Sequence, residues 1–93
     1  MNTDLNEEIL NNLRKIAKEN ESFSNILQYL VSSLHINKYS RITAIRYFRT
    51  AFQIDLKYAK DLGAWDFFEG GTWSIEQIES DLKPLIDKAI KKL

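Results

Sequence analysis

Apolar residues recur at intervals of three and four along most of the chain, the spacing that is typical of amphipathic α-helices. The first such stripe runs over residues 5–17 and the second over residues 23–34, and residues 35–39 break the period. No segment alternates strictly between apolar and polar residues, so no strand is predicted. The inward positions of the first two predicted helices are Leu5, Ile9, Leu10, Leu13, Ile16 and Ala17, and then Phe23, Ile26, Leu27, Leu30, Val31 and Leu34.

Three further helices are predicted in the second half of the chain. A third follows Ser40, a fourth follows Asp55, and the last begins beyond the Gly70-Gly71 pair, which is a strong stop signal. Pro84 lacks a backbone donor, so we expect a kink there or a division into two short helices. The inward positions are Ile42, Ala44, Ile45, Phe48, Ala51 and Phe52, then Leu56, Ala59, Leu62 and Trp65, and finally Ile75, Ile78, Leu82, Leu85, Ile86, Ala89, Ile90 and Leu93.

Polar residues at the predicted helix starts support this division. Ser74 and Gln77 have the spacing of a capping box, in which each side chain bonds to the other residue's backbone N–H. The sequence therefore predicts an all-α fold: a single compact bundle of five short helices, or six if Pro84 splits the last, in one domain of residues 1–93. The other candidate caps are Thr3 or Asp4, Ser22 or Ser24, Ser40 and Asp55.

The composition is that of an ordinary globular domain. The 93 residues are 44% hydrophobic and 28% charged, enough apolar material for one core. There is no cysteine, which excludes disulfides and thiolate chemistry. The acidic start of the chain is unlike a secretion signal, and no apolar run approaches the roughly 20 residues that span a bilayer, so we expect a cytoplasmic protein. Frequent Asn, Lys and Ile suggest a bacterial source with an AT-rich genome.

The charges are segregated along the chain although the net charge is zero. Residues 35–60 carry six bases against one acid, and residues 61–81 carry six acids and no base. Such blocks create patches that steer a partner, or they face each other inside the fold, and the sequence leaves both interpretations open. The bases are Lys38, Arg41, Arg46, Arg49, Lys57 and Lys60, and the acids are Asp61, Asp66, Glu69, Glu76, Glu79 and Asp81.

Four aromatic residues fall within nine positions of the acidic block: Trp65, Phe67, Phe68 and Trp73. Rigid aromatic side chains are favoured anchors at protein interfaces. The alternative is that these rings clamp the last helix onto the preceding helices and close the core, because aromatic side chains are the largest source of burial in a small domain.

Residues 41–62 carry a basic helix, a turn and a second helix beginning Leu-Lys-x-Ala-Lys-Asp-Leu. This pattern resembles the helix-turn-helix core of the C-terminal domain of the bacterial ribosomal stalk protein. The matching residues are Arg41, Ile42, Ala44, Ile45, Arg46 and Arg49 in the first helix, and Leu56, Lys57, Ala59, Lys60, Asp61 and Leu62 in the second.

The resemblance implies a surface that recruits translation GTPases. It covers about a quarter of the chain, and Gln53-Ile54-Asp55 replaces the family's glycine-bearing turn. The stalk domain is α/β, whereas residues 1–34 here are predicted to be helical, so we expect a short bacterial protein that reuses this hairpin in another setting. The contact positions that the resemblance implies are Arg41, Arg46, Arg49, Lys57 and Lys60.

Catalysis is not predicted. His35 is the only histidine, and no nucleophile or acid lies near it at the spacing of a triad. One histidine and scattered acids do not make a metal site, and no glycine loop for a phosphate is present. We therefore expect no enzyme, no cofactor and no metal.

The favoured hypothesis is a non-enzymatic protein–protein binding module, of the immunity or antitoxin type that neutralises a partner toxin. An alternative is a module that engages a translation factor or the ribosome through the basic hairpin. A third hypothesis is nucleic-acid binding, which a neutral chain without base-reading side chains in its second helix disfavours. The first hypothesis assigns the partner surface to Asp61, Trp65, Asp66, Phe68, Glu69, Trp73, Glu76, Glu79 and Asp81.

Overall fold

A computed structural model describes residues 5–19 and 22–92. Within these ranges the chain forms five α-helices and one short 3₁₀ helix, with an isolated bridge between Trp65 and Trp73 and no longer strand. The predicted all-α class is confirmed. The helices are α1 (Glu7–Lys18), α2 (Phe23–Leu34), α3 (Arg41–Phe52), α4 (Leu56–Ala59) and α5 (Ile75–Ile90), and the 3₁₀ helix (Lys60–Ala64) continues directly from α4.

The first helix is capped by Asn6. Its side-chain oxygen accepts hydrogen bonds from the backbone N–H groups of Glu8 at 2.8 Å and Ile9 at 3.3 Å. Asparagine is among the strongest N-cap residues, which explains a start at this position. The predicted caps Thr3 and Asp4 lie outside the described residues.

Two of the predicted caps are confirmed. Ser22 caps α2 by accepting from the N–H of Asn25, and Ser24 lies inside that helix. The capping box at the start of α5 is complete: Ser74 Oγ accepts from the N–H of Gln77 at 3.3 Å, and Gln77 Oε1 accepts from the N–H of Ser74 at 2.8 Å. These starts depend only on near neighbours in sequence, which is why the pattern predicts them.

Ser40 and Asp55 stand at the N-cap positions of α3 and α4, but neither side chain forms a capping hydrogen bond. The hydroxyl of Ser40 accepts instead from the N–H of Asn37 at 3.1 Å, within the preceding loop. Their backbone carbonyls do open the helices, because they accept from the N–H groups of Ala44 and Ala59. The predicted positions are correct, and the predicted side-chain role is wrong.

The last helix continues through Pro84 as one element of 16 residues. The predicted division into two short helices is therefore wrong. Proline removes one helical hydrogen bond, to the carbonyl of Ser80, and both residues are exposed, so water can satisfy that carbonyl. On the opposite side Leu82 and Ile86 are buried, and their packing holds the helix together on both sides of the proline.

The buried apolar side chains form one cluster, to which every helix contributes. At its centre the ring of Phe48 meets Phe23 and Phe52 edge to face, with centroids 6.2 and 5.2 Å apart. Tyr47, which the pattern did not place inside, is also buried. Except for Ile42 and Leu56, every predicted inward position in the described ranges is buried or half-buried, and Leu93 lies outside those ranges.

Ile42 and Leu56 are exposed, at 69% and 53% of their surface, so their predicted inward orientation is wrong. On a helical projection Ile42 lies about 60° outside the arc of the other inward positions of α3. The first turn of α3 directs Arg41 toward the 3₁₀ helix, where its Nε donates to the carbonyl of Gly63 at 2.8 Å. Ile42 is therefore directed to solvent. In α4 the buried residue is Ala59, and Leu56 stays exposed.

No helix within residues 5–19 and 22–92 combines the length and the apolar character that crossing a bilayer requires.

Candidate functional site

The aromatic residues between positions 65 and 73 form a packed group. Trp65 stacks on Phe67 with ring centroids 4.8 Å apart, and Phe68 meets Trp65 edge to face at 5.7 Å. Trp65 is 8% exposed and Phe68 2%, whereas Phe67 and Trp73 are half-buried. Both rings belong to the core, which favours the alternative that these aromatic residues close the core.

Backbone hydrogen bonds close this segment into a tight loop. The N–H of Asp66 donates to the carbonyl of Trp73 at 2.8 Å. The N–H groups of Thr72 and Trp73 both donate to the carbonyl of Ala64, at 2.9 and 2.8 Å. The loop that joins the 3₁₀ helix to α5 is thus a structural unit with a fixed shape.

Hydrogen bonds from Arg41 link the start of α3 to the 3₁₀ helix and to this loop. Its Nε donates to the carbonyl of Gly63, its Nη2 donates to the carbonyl of Glu69, and its guanidinium lies 5.9 Å from the ring centroid of Phe68. The side chain is half-buried. Arg41 was predicted to be a contact position of the basic surface, and the engagement of Nε and Nη2 by backbone carbonyls of the same chain favours a structural role for it.

The predicted acidic surface is spread over three elements: the 3₁₀ helix, the loop and α5. Glu69 Oε1 lies 3.6 Å from Lys38 Nζ, so the basic and acidic blocks face each other at this point. Among the predicted aromatic anchors, only the half-buried Trp73 retains appreciable exposure. Asp66, Glu69, Glu76 and Asp81 are exposed, and Asp61 and Glu79 are half-buried.

Asp61 and Asp81 bring two carboxyl groups together across the 3₁₀ helix and α5. Burial raises the pKa of Asp61, and a hydrogen bond to Asp81 and the charge of Asp81 raise it further, while Lys60 acts in the opposite direction. A raised pKa in the folded state means that the folded protein binds more protons than the unfolded chain in the window above the ordinary aspartate pKa of about 3.9. The contribution of Asp61 to stability is therefore greatest at acid pH and is lost as the pH rises through its folded pKa.

We predict that Asp81→Asn raises the free energy of unfolding at pH 7 by about 0.5 kcal/mol, because it removes a like charge from the neighbourhood of Asp61. The gain should shrink as the pH falls through the raised pKa of Asp61, because a protonated Asp61 no longer carries the charge that Asp81 repels. Urea unfolding of both proteins at several pH values measures the difference. Glu76→Gln is the matched control: it also removes one acid from α5, but from a first turn where negative charge is favourable, so it should give no gain.

The helical hairpin is closed by a turn without glycine. Gln53 adopts the left-handed conformation, with φ of 51°, and the N–H groups of Gln53 and Ile54 both donate to the carbonyl of Arg49. Ile54 is buried and Asp55 opens α4. A residue that rarely adopts positive φ thus takes the place that glycine holds in the stalk-protein pattern.

The hairpin carries three of the four exposed large hydrophobic side chains of the described residues, and the fourth, Tyr39, lies in the loop before α3. The large hydrophobic residues that are exposed are Tyr39, Ile42, Leu56 and Tyr58, and all four fall between Lys38 and Lys60, inside the basic block. Sequence reasoning missed this surface because it placed Ile42 and Leu56 in the core. The sequence does contain a signal for the exposure of Ile42, since this residue lies outside the arc of the other inward positions on the helical projection of α3.

Bases of the hairpin share a side of their own helical segment with Ile42 and with Leu56. Ile42, Arg46 and Arg49 occupy positions i, i+4 and i+7 of α3 and share one side of that helix, and Leu56 and Lys60 are likewise i and i+4. We define the hairpin surface as six exposed residues: Ile42, Arg46, Arg49, Leu56, Lys57 and Lys60.

Within residues 5–19 and 22–92, no group of three or more His, Cys, Asp or Glu side chains is arranged to hold a metal ion. His35 is exposed at the C-terminal end of α2, in the left-handed conformation, where its N–H donates to the carbonyl of Val31. The described structure thus gives His35 a role in ending a helix.

No protein-family model matches the chain, and no curated protein and no solved structure matches it.

Proposed function

We propose that this protein is a non-enzymatic protein-binding module that docks through the hairpin surface. One observation carries the proposal: the exposed large hydrophobic side chains of the described residues all lie within the basic block. Exposed apolar side chains together with arginines are the composition of protein interfaces, in which apolar contacts supply affinity and charges supply orientation. The hairpin surface combines both, whereas two of the three aromatic side chains that were predicted as anchors of the acidic block are buried.

The partner that fits this surface is a protein with an acidic rim around an apolar centre. Ile42 and Leu56 would enter the apolar part, and Arg46, Arg49 and Lys60 would face carboxylates. The resemblance of residues 41–62 to the stalk-protein hairpin supports a translation factor or a ribosomal protein as the class of partner. Nucleic-acid binding through the same bases is distinguished by its steep loss of affinity with salt.

Toxin neutralisation is the second candidate. Its support is that Asp66, Glu69 and Glu76 are exposed around the half-buried Trp73, an arrangement that suits a basic toxin surface. The two candidates use opposite charge blocks, so they respond differently to the same pair of variants.

The variant Arg46→Glu/Arg49→Glu/Lys60→Glu tests the proposal. Each reversal is expected to cost on the order of 1 kcal/mol in binding, so together they should weaken the partner complex by about 100-fold or more. The measurement is capture of partners from a host lysate on the immobilised protein, followed by titration calorimetry with the captured partner.

The matched control is Asp66→Lys/Glu69→Lys/Glu76→Lys, which reverses three exposed acids. Binding that survives this variant and fails with the hairpin variant supports docking through the hairpin. The reverse pattern would assign the binding surface to the acidic block and favour the toxin-neutralising candidate. Circular dichroism of both variants verifies that the helices are retained.

A further inference from the structure

A groove lies between the turn that joins α3 to α4 and the last turns of α5. Its volume is about 380 Å³, close to the lower end of the range for small-molecule sites in proteins. Phe52 and Ile54 are buried, Leu85 and Ala89 are half-buried, and these four side chains give the groove an apolar floor. The volume corresponds to roughly a dozen water-sized groups.

The rim on the α5 side is basic. Leu85, Lys88 and Ala89 line the groove together because positions i, i+3 and i+4 share one face of a helix, and Lys92 joins them from the turn that follows the end of α5 at Ile90. Lys88 and Lys92 are both exposed and both line the groove. Tyr58, also exposed, borders the groove from α4.

The opposite rim consists of Gln53 and Asp55. A second, more open cleft on the other side of the same turn is lined by Arg14 and Arg49. The groove itself holds two lysines against one carboxylate, and the adjacent cleft adds two arginines. The local field around the turn is therefore positive although the whole chain is neutral.

We propose that this groove binds a small amphiphilic anion, with an apolar or aromatic body of roughly a dozen heavy atoms and a single carboxylate, sulfonate or phosphate group. The body covers the half-buried Leu85 and Ala89, and the anionic group lies between Lys88 and Lys92. The groove adjoins the hairpin surface at Asp55 and Tyr58 but shares none of its six residues. Substitutions at Lys88 and Lys92 therefore test the groove without changing the proposed protein-docking surface.

The test uses naphthalene sulfonate and its neutral sulfonamide as probes of the same shape. Each is titrated into the ¹⁵N-labelled full chain and followed by amide chemical shifts. We expect saturable shifts for the sulfonate, confined to residues 52–58 and 85–92, and at least about tenfold weaker binding of the sulfonamide. Lys88→Glu/Lys92→Glu should weaken sulfonate binding by at least about tenfold.

The matched control is Lys18→Glu/Lys91→Glu, which makes the same change in net charge at two exposed lysines outside the groove and should alter the affinity by less than about twofold. Ala89→Leu fills the floor without changing charge and should abolish binding while the helical spectrum is retained. Equal affinity for the two probes, shifts elsewhere in the chain, or equal effects of the two lysine pairs would overturn the proposal.

Discussion

Gly71→Ala is expected to lower the free energy of unfolding by about 3 kcal/mol, one of the two largest effects of any single substitution proposed for this chain. A methyl group at this position would lie 1.9 Å from the carbonyl oxygen of Trp65 and 2.9 Å from that of Ala64. Both are backbone atoms, one at the end of the 3₁₀ helix and one at the start of the loop that holds Trp65 and Phe68, so the clash cannot be relieved by rotating a side chain.

Gly70→Ala is the control for this substitution. Gly70 has φ of 81°, which an alanine tolerates poorly, but the space around it is open, with the nearest atom 4.0 Å away. Its cost should be about 1 kcal/mol, the strain of the left-handed conformation alone. Urea unfolding of the two variants measures the difference, and equal costs would contradict the tight contact between Gly71 and the Trp65 carbonyl.

Phe48→Ala is expected to cost about 3–5 kcal/mol, the range for removing a fully buried phenylalanine. The ring is inaccessible to solvent and makes edge-to-face contacts with Phe23 and Phe52, so its loss leaves a cavity between α2 and α3. A domain of this size has only about 5–15 kcal/mol of stability. Thermal and urea unfolding followed by circular dichroism give the cost directly.

Ile42→Ala is the matched comparison on the same helix. The sequence pattern places Ile42 in the core beside Phe48, whereas the structure leaves it exposed, so truncating it should change the stability by less than about 0.5 kcal/mol. It should nevertheless weaken partner binding. A cost near that of Phe48→Ala would mean that α3 is rotated about its axis relative to the structure described.

The parts of the fold that depend on near neighbours in sequence follow from the pattern. Ser22, with the apolar stripe behind it, predicts α2, and Ser74 with Gln77 predicts the start of α5, because a cap and its partner lie within one helical turn. Whether α5 breaks at Pro84 depends on packing against residues that are distant in sequence. Local chemistry favours a break there, and burial of Leu82 and Ile86 on the far side of α5 outweighs it.

The candidate site was harder to predict, because exposure is decided by tertiary contacts. Arg41 and Ile42 both lie in the first turn of α3, and hydrophobicity alone favours Ile42 as the residue whose side chain points inward. The carbonyls of Gly63 and Glu69 reverse that choice by accepting from the guanidinium, and no local pattern reveals acceptors more than 20 residues away. The burial of Trp65 and Phe68 likewise depends on the loop that Gly71 closes.

The most direct test of the central proposal is the footprint of the captured partner on the ¹⁵N-labelled protein. Docking through the hairpin surface predicts that amide signals around Ile42, Arg46, Leu56 and Lys60 shift or broaden on titration, while those of residues 66–79 stay in place. Perturbations concentrated in residues 66–79, with the hairpin signals unchanged, would contradict the proposal and assign the binding surface to the acidic block.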